Sequence, residues 1–401
     1  NGTGDFTTIP NSLEYSWVFS LDDVEAGSGG ALATWVSGSR ADGNSYTASG
    51  SYEDVLNAGF KQFTAVMSEG FEGLNILEKE PFRNTVMPSS TTAVNSYEYA
   101  SLDRAIDTVA DAEVVECNMM TIPALKNNLL TNKLLDVCDA RADSLAIIDL
   151  DGGYVPPSEN ASMLEMNRNG DVQSTVDDLT DRNLNTSYGC AYYPWVQVTD
   201  TVTTGGSLWV PPSVVALGTF ASSQASSELW FAPAGFTRGG LTEGSAGLPV
   251  TNVRTRLTSE NRDDLYNANI NPIAQFPAEG IVIFGQKTLQ VTQSALDRIN
   301  VRRLMIYVKR EISRIAATLL FDQNVTATWN RFLGKVNPFL GSIQTRLGLT
   351  DYKVLLDETT TTPDLVDRNI LYAKIFLKPA RAIEFIALDF VITKTGAGFE
   401  D

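Results

Sequence analysis

The sequence contains no histidine in 401 residues. Without an imidazole there is no Ser-His-Asp or Cys-His catalysis, since both take their base from it. HExxH metalloprotease sites and Cys2His2 zinc sites are excluded with them, as is a switch driven by histidine protonation. Carboxylate, lysine, tyrosine or metal-assisted chemistry stays open, and so does no chemistry at all. Cysteine is nearly as scarce: Cys117, Cys138 and Cys190. Three is an odd number and the spacing matches no zinc motif, so they read as reduced, mostly buried thiols of a cytoplasm-made protein. Long apolar runs are missing as well. The longest, 144–150 and 382–393, are short or broken by charge, far below the ~20 residues of a membrane-spanning helix. The chain opens on neither a Met nor a signal-peptide pattern, so it reads as a fragment or a processed product.

What is present is the composition of a globular protein: 43% hydrophobic, 19% charged and 9% aromatic residues, enough to build a core and unlike disordered chains. The length predicts two or three domains. The net charge of -18 argues against a general nucleic-acid binder, whose affinity comes largely from neutralising phosphates. That charge is uneven. Residues 1–286 hold 14 basic and 36 acidic side chains, whereas residues 287–401 hold 16 basic and 12 acidic. Such asymmetry predicts an acidic face and a neutral-to-basic face with different partners.

The texture changes along the chain. Residues 1–96 are rich in Gly, Ser and Thr, with short alternating runs at 15–19 and 31–36 that read as strands and one helical pattern at 51–65. From about residue 97, strands and helices alternate. Helices are expected at 102–110, 127–141, 176–184, 214–226 and 260–267, and strands at 113–120, 144–150, 189–198, 229–232 and 281–284. This is the pattern of an α/β layer with parallel strands and crossover helices. The last part differs. In 297–321, Val301, Met305, Val308, Ile312, Ile315 and Leu319 step by helical intervals, with arginines and a lysine over most of the remainder. A second helix is expected over 327–347, interrupted near Pro338, then a strand at 352–356 and a strand pair formed by 370–377 and 383–393. The expected fold class is α/β and α+β multidomain, with a β-rich outer domain (1–96), an α/β core (97–290) and a C-terminal helix-plus-strand domain (291–401).

One motif mimics an active site. The apolar strand 145–148 ends in Asp149-Leu150-Asp151-Gly152. This is how haloacid-dehalogenase-type phosphatases begin: the first carboxylate attacks phosphorus, the second is acid/base, and Mg²⁺ offsets charge. Asp177-Asp178 or Asp263-Asp264 would mimic the later metal-binding pair. The pattern departs from the family at Gly153, and two α/β elements precede the strand. The plainer reading is a strand-end turn built from Asp and Gly. The glycine-rich stretch 235–247 lacks the Gly-Lys-Ser/Thr of a phosphate loop and reads as a surface loop. Asn160 and Asn324 sit in chance sequons.

Several separate segments carry a resemblance. Residues 295–304 (ALDRINVRRL), Asn337-Pro338-Phe339-Leu340, 348–354 (GLTDYKV), 369–379 and 390–396 occur in the order seen at the C-terminus of tail sheath proteins from contractile-tailed bacteriophages, of the large myovirus type. Upstream, 187–195 (SYGCAYYPW), 209–213 (WVPPS) and Asn271-Pro272-Ile273 resemble that family's core. The resemblance covers about 97–401; residues 1–96 carry none of it and fit the family's variable outer decoration, within a larger N-terminal region that the fragment lacks.

The resemblance implies a non-enzymatic machine part with no cofactor and no metal. Sheath subunits stack as hexameric rings around a tail tube, and contraction drives the tube through the host envelope. Partners would be other sheath subunits, the tube protein, and baseplate and tail terminator proteins, with no nucleic acid and no membrane. The location would be the virion tail, after synthesis in the host bacterial cytoplasm. Terminal arms in the family add strands to neighbouring subunits. On this chain Ile383, Phe385, Phe390 and Ile392 would mark the exchanged C-terminal strand or its dock. Arg331, Lys335 and Arg346 on the second C-terminal helix would face an acidic tube surface.

Overall fold

The computed structural model describes residues 97–384 apart from 158, 161, 200–205 and 243–246, together with a small strand pair near the N-terminus. That pair, β1 (Val24–Glu25) and β2 (Thr34–Trp35), is antiparallel. The expected helix at 51–65 and the strand at 15–19 lie outside the described residues. The chain divides into two compact units, Asn1–Asn75 and Ile76–Asp401.

The second unit is built on a five-stranded sheet of order β10-β9-β5-β4-β3. β3 (Met119–Thr121), β4 (Leu145–Ile148), β5 (Gly189–Tyr193) and β9 (Ile270–Phe276) are parallel, and β10 (Gly280–Ile283) returns antiparallel to β9. Both faces are covered, which is why β4 and β5 are buried at every position. Successive residues divide between two cores at the two-residue period of a strand. Ala146, Ile148, Ala191 and Tyr193 pack among α1 (Tyr97–Val109), α2 (Asn128–Arg141), α3 (Val172–Asp181) and α6 (Ser259–Asn267). Leu145, Ile147, Cys190 and Tyr192 face α4 (Pro212–Ser226) and a small antiparallel sheet of order β7-β6-β8. Its strands are β6 (Val196–Thr199), β7 (Ser207–Val210) and β8 (Val250–Val253). A short helix, α5 (Gly235–Arg238), lies between α4 and β8.

Local chemistry sets these ends. The Asn127 side chain accepts from the backbone N–H groups of Leu129 and Leu130 and so caps α2. Thr258 does the same for α6 through Asn261, and Pro212 sits at the tolerated first position of α4.

A third core lies under the C-terminal elements. The long helix α7 (Ile299–Ala317) gives Ile299 and Ile306 to the sheet side and Leu304 and Val308 to this third core. α8 (Thr326–Thr345) adds Trp329, Phe332, Val336, Leu340 and Ile343, closed by the antiparallel pair β11 (Leu349–Leu355) and β12 (Lys374–Pro379). The short helix α9 (Pro363–Asp367) joins those two strands.

Several expectations need correction. Residues 113–118 form no strand, and only Met119–Thr121 pairs. The aromatic stretch 189–198 is two strands in two sheets, parted at Pro194, which has no N–H for a ladder. Residues 229–232 form no strand; Trp230 instead fills the third core. Pro338 does not interrupt α8. Buried side chains on both sides of it hold the helix together, and Gly334, one turn earlier, stands in open space. β12 pairs with β11; of its expected partner 383–393, residues 385–393 lie outside the described residues. The glycine-rich stretch is not merely a surface loop: Leu241 N–H donates to Ile281 O and Ile283 N–H to Gly239 O, covering the β10 edge. A Cβ at Gly239 would meet Ile283 O at 2.7 Å, so only glycine allows that approach. Arg302 and Arg303, among the basic residues outside the apolar stripe, are buried; α7 is covered on two sides there, so Arg302 stacks 3.9 Å over Tyr188 and Arg303 4.9 Å over Phe220.

Candidate functional site

The phosphatase mimic dissolves in the structure. Asp149 stands at the end of β4, fully buried, with both carboxylate oxygens engaged. Oδ2 accepts from Ala124 N–H at 2.7 Å and from Ser213 Oγ–H at 2.6 Å, and Oδ1 accepts from Ser213 N–H at 3.1 Å. Burial pushes this carboxyl up to about 6, against the opposing pull of these hydrogen bonds and of Lys126. Ser213 belongs to the first turn of α4, so Asp149 ties that helix N-terminus and the 122–126 loop to the sheet. Asp151 is exposed and its Oδ1 accepts from Gly152 N–H inside its own turn. Asp177, Asp178, Asp263 and Asp264 are all exposed, and among the described residues no group of three acidic or cysteine side chains could hold a metal ion. The Asp-x-Asp-Gly run is therefore a strand-end bracket followed by a turn.

Arg331 and Lys335 in α8 and Arg346 at its C-cap share one flank. Arg331, Lys335 and Arg346 fall within an arc of roughly 60° at 3.6 residues per turn, beside the buried face. All three are exposed. They are also engaged: Arg331 pairs with Asp322 at 2.7 Å, and Lys335 Nζ donates to Thr318 Oγ1 at 3.1 Å. Arg346 Nε donates to Glu228 at 2.9 Å while its guanidinium lies 5.2 Å over Trp230. Trp230 Nε1 in turn donates to Arg346 O at 2.9 Å. Exposed ion pairs of this kind contribute only about 0–1 kcal/mol, so they are exchangeable at low cost.

The β11–β12 pair has the geometry of an unfinished sheet. Among the described residues each strand pairs only with the other, leaving both outer edges without a ladder. Exposure alternates along β12, and Phe376 is half exposed. The connection before it adds Ile370, Leu371 and Tyr372, all exposed.

Of the C-terminal residues singled out, Ile383 is 82% exposed, and Phe385, Phe390 and Ile392 lie outside the described residues. Reading the sequence missed Glu384. Its Oε1 accepts from Arg298 Nε at 2.6 Å and Gln286 Nε2 at 3.1 Å, and its Oε2 from Tyr266 Oη at 2.9 Å. The signal was there: this carboxylate is the first charge inside the apolar run 382–393.

Comparison with known proteins follows the same lines. The family model described as the phage tail sheath C-terminal domain matches residues 291–393. The tail sheath protein of Vibrio phage KVP40 is 36% identical over 233 residues, 57% of this chain and 33% of the relative. That of Enterobacteria phage T4 is 30% identical over 316 residues, 75% of this chain and 45% of the relative. The chain thus spans less than half the length of these curated relatives. Among solved structures, the sheath complex of an extracellular contractile injection system in its contracted state has a TM-score of 0.55 at 22% identity, covering 71% of this chain and 74% of that one. That likeness shows the fold, a mixed α/β body. Residues 291–393 thus match the phage tail sheath C-terminal domain, and the chain is similar to the tail sheath proteins of these two phages.

Proposed function

We propose that the chain is a structural subunit of a contractile tail sheath, which polymerises as stacked hexameric rings around a tail tube and contracts to drive the tube through the host envelope. The observation that carries this reading is the β11–β12 pair, which has no further strand on either edge among the described residues and lies inside the matched C-terminal domain. Two-stranded sheets are marginal alone. Strands added from neighbouring subunits complete such a sheet through main-chain hydrogen bonds and keep subunits connected while other contacts exchange. Residues 383–396, containing Ile383, Phe385, Phe390 and Ile392, would be the donated strand or its dock.

In this reading residues 97–290 form the α/β body, residues 291–401 face the tube, and residues 1–96 form an outer domain. Arg331, Lys335 and Arg346 meet an acidic tube surface by exchanging their internal partners for tube carboxylates. The further partners are the baseplate and the tail terminator, and the site of action is the virion tail after synthesis in the bacterial cytoplasm. No catalysis or cofactor is invoked, because the work is stored in assembly. Negative-stain imaging of the full-length protein with its tube tests this: ringed sheaths are expected, and dispersed subunits under all tube conditions would refute it. Reversing Arg331 and Lys335 to Glu should prevent assembly on tubes.

A further inference from the structure

After β12 the chain crosses the body of its own subunit. Ala380 N–H still donates to Gly348 O at 3.1 Å. Arg381, Ala382 and Ile383 are exposed. Glu384 is then gripped by three donors from three places: Tyr266 on α6, Gln286 after β10, and Arg298 at the N-cap of α7. In 381–384 this carboxylate carries all the side-chain hydrogen bonds to the core that the structure shows.

The receiving site is arranged for a negative charge. Arg298 Nε reaches it directly, and Lys287 sits 4.3 Å over the Tyr266 ring, with its Nζ donating to Tyr266 O at 2.6 Å. Burial and the nearby Arg298 hold the Lys287 ammonium below its usual range, and Glu384 opposes this together with Asp297, which pairs with Arg298 at 3.3 Å. The charge-assisted bonds are of the strong class.

The closed arrangement is nevertheless incomplete. The segment forms one wall of a cleft of about 700 Å³. Two residues lining that cleft, Gln286 and Asn300, each bury a side-chain carbonyl oxygen with no hydrogen-bond partner. The Gln286 amide cannot simply be turned over, because its NH2 already donates to Glu384. Unpaired buried acceptors oppose closure, so one strong clasp works against a poorly satisfied floor.

We propose that Glu384 is a releasable clasp: it straps the chain following β12 onto the α6–α7 face of its own subunit. Its role in strand exchange rests on the sheath reading, since a strand must be free before it can join a neighbour. The contact itself does not depend on that reading.

Trypsin cleaving after Arg381 reports the clasp on the isolated chain, because proteolysis follows the population of locally opened segments. Glu384→Ala should speed cleavage after Arg381 about tenfold, with cleavage after Arg331 and Lys335 in α8 unchanged. Glu384→Gln, which keeps a side-chain acceptor but loses the charge, should give a rate between those of Glu384→Ala and the parent chain. Cleavage after Arg381 at the parental rate in Glu384→Ala would overturn the proposal. So would equal acceleration at every site, which would mean general loosening. If the sheath reading fails, no variant forms rings, but the contrast at Arg381 persists.

Discussion

The α/β body and the C-terminal strand pair use the same backbone chemistry to opposite ends. In the body, β4 and β5 are buried at every position and bordered by strands on both sides. Even its β10 edge is covered by main-chain bonds from 239–241. In the C-terminal region, β11 and β12 have no further partner strand among the described residues and expose Phe376, and the preceding loop exposes Ile370 and Tyr372. Uncovered edges are normally suppressed because they invite other chains. Among the described residues the β10 edge is sealed and the outer edges of β11 and β12 are not.

The largest effects should come from the body. Phe220→Ala removes a fully buried ring that also supports Arg303, and should cost about 3–5 kcal/mol in chemical denaturation. Phe376→Ala should cost the isolated chain under about 1 kcal/mol, since its ring is half exposed. Equal losses would break the contrast between a finished body and an unfinished sheet.

Asp149→Asn comes next, at about 1–3 kcal/mol, because the amide places an NH2 against a group that already donates. It also carries a pH signature. The Asp149 carboxyl is held up to about 6 in the fold against an ordinary 3.8. The folded state therefore binds the proton more tightly. The stability this group contributes is full below about pH 4 and is lost as pH rises through about 6. The difference between the parent and Asp149→Asn should shrink from pH 4 to pH 7 in paired urea melts. A constant difference would contradict the burial argument.

The smallest effect on the subunit should be at the basic flank. Arg346→Ala loses an exposed ion pair and a stack on Trp230, together about 0.5–1 kcal/mol by thermal melt. A loss of several kcal/mol would make Arg346 structural rather than available to a partner.

The body was largely legible from the sequence, because its signals are local. The N-cap Asn127, the apolar run 145–148 and Pro211-Pro212 each mark an element that the structure contains. The misses are tertiary. Nothing local tells that Arg302 and Arg303 will be covered by a second layer, or that packing around Phe332 and Leu340 will carry a helix through Pro338. The partner of β12 depends on a helix and loop folding back to β11, a choice that spacing alone does not make. Asp149 shows the same limit for sites. Its spacing fits a nucleophile, and only the donors around it show that it brackets a helix.

The central claim is that β11 and β12 form an unfinished sheet completed by neighbouring subunits. Amide hydrogen exchange across 349–355 and 374–379, measured on the free subunit and on assembled sheath, tests it most directly. The account predicts fast exchange at the outer edges in the free subunit and strong protection in the sheath, with β4 and β5 slow in both. Equal protection of β11 and β12 in the two states would contradict it.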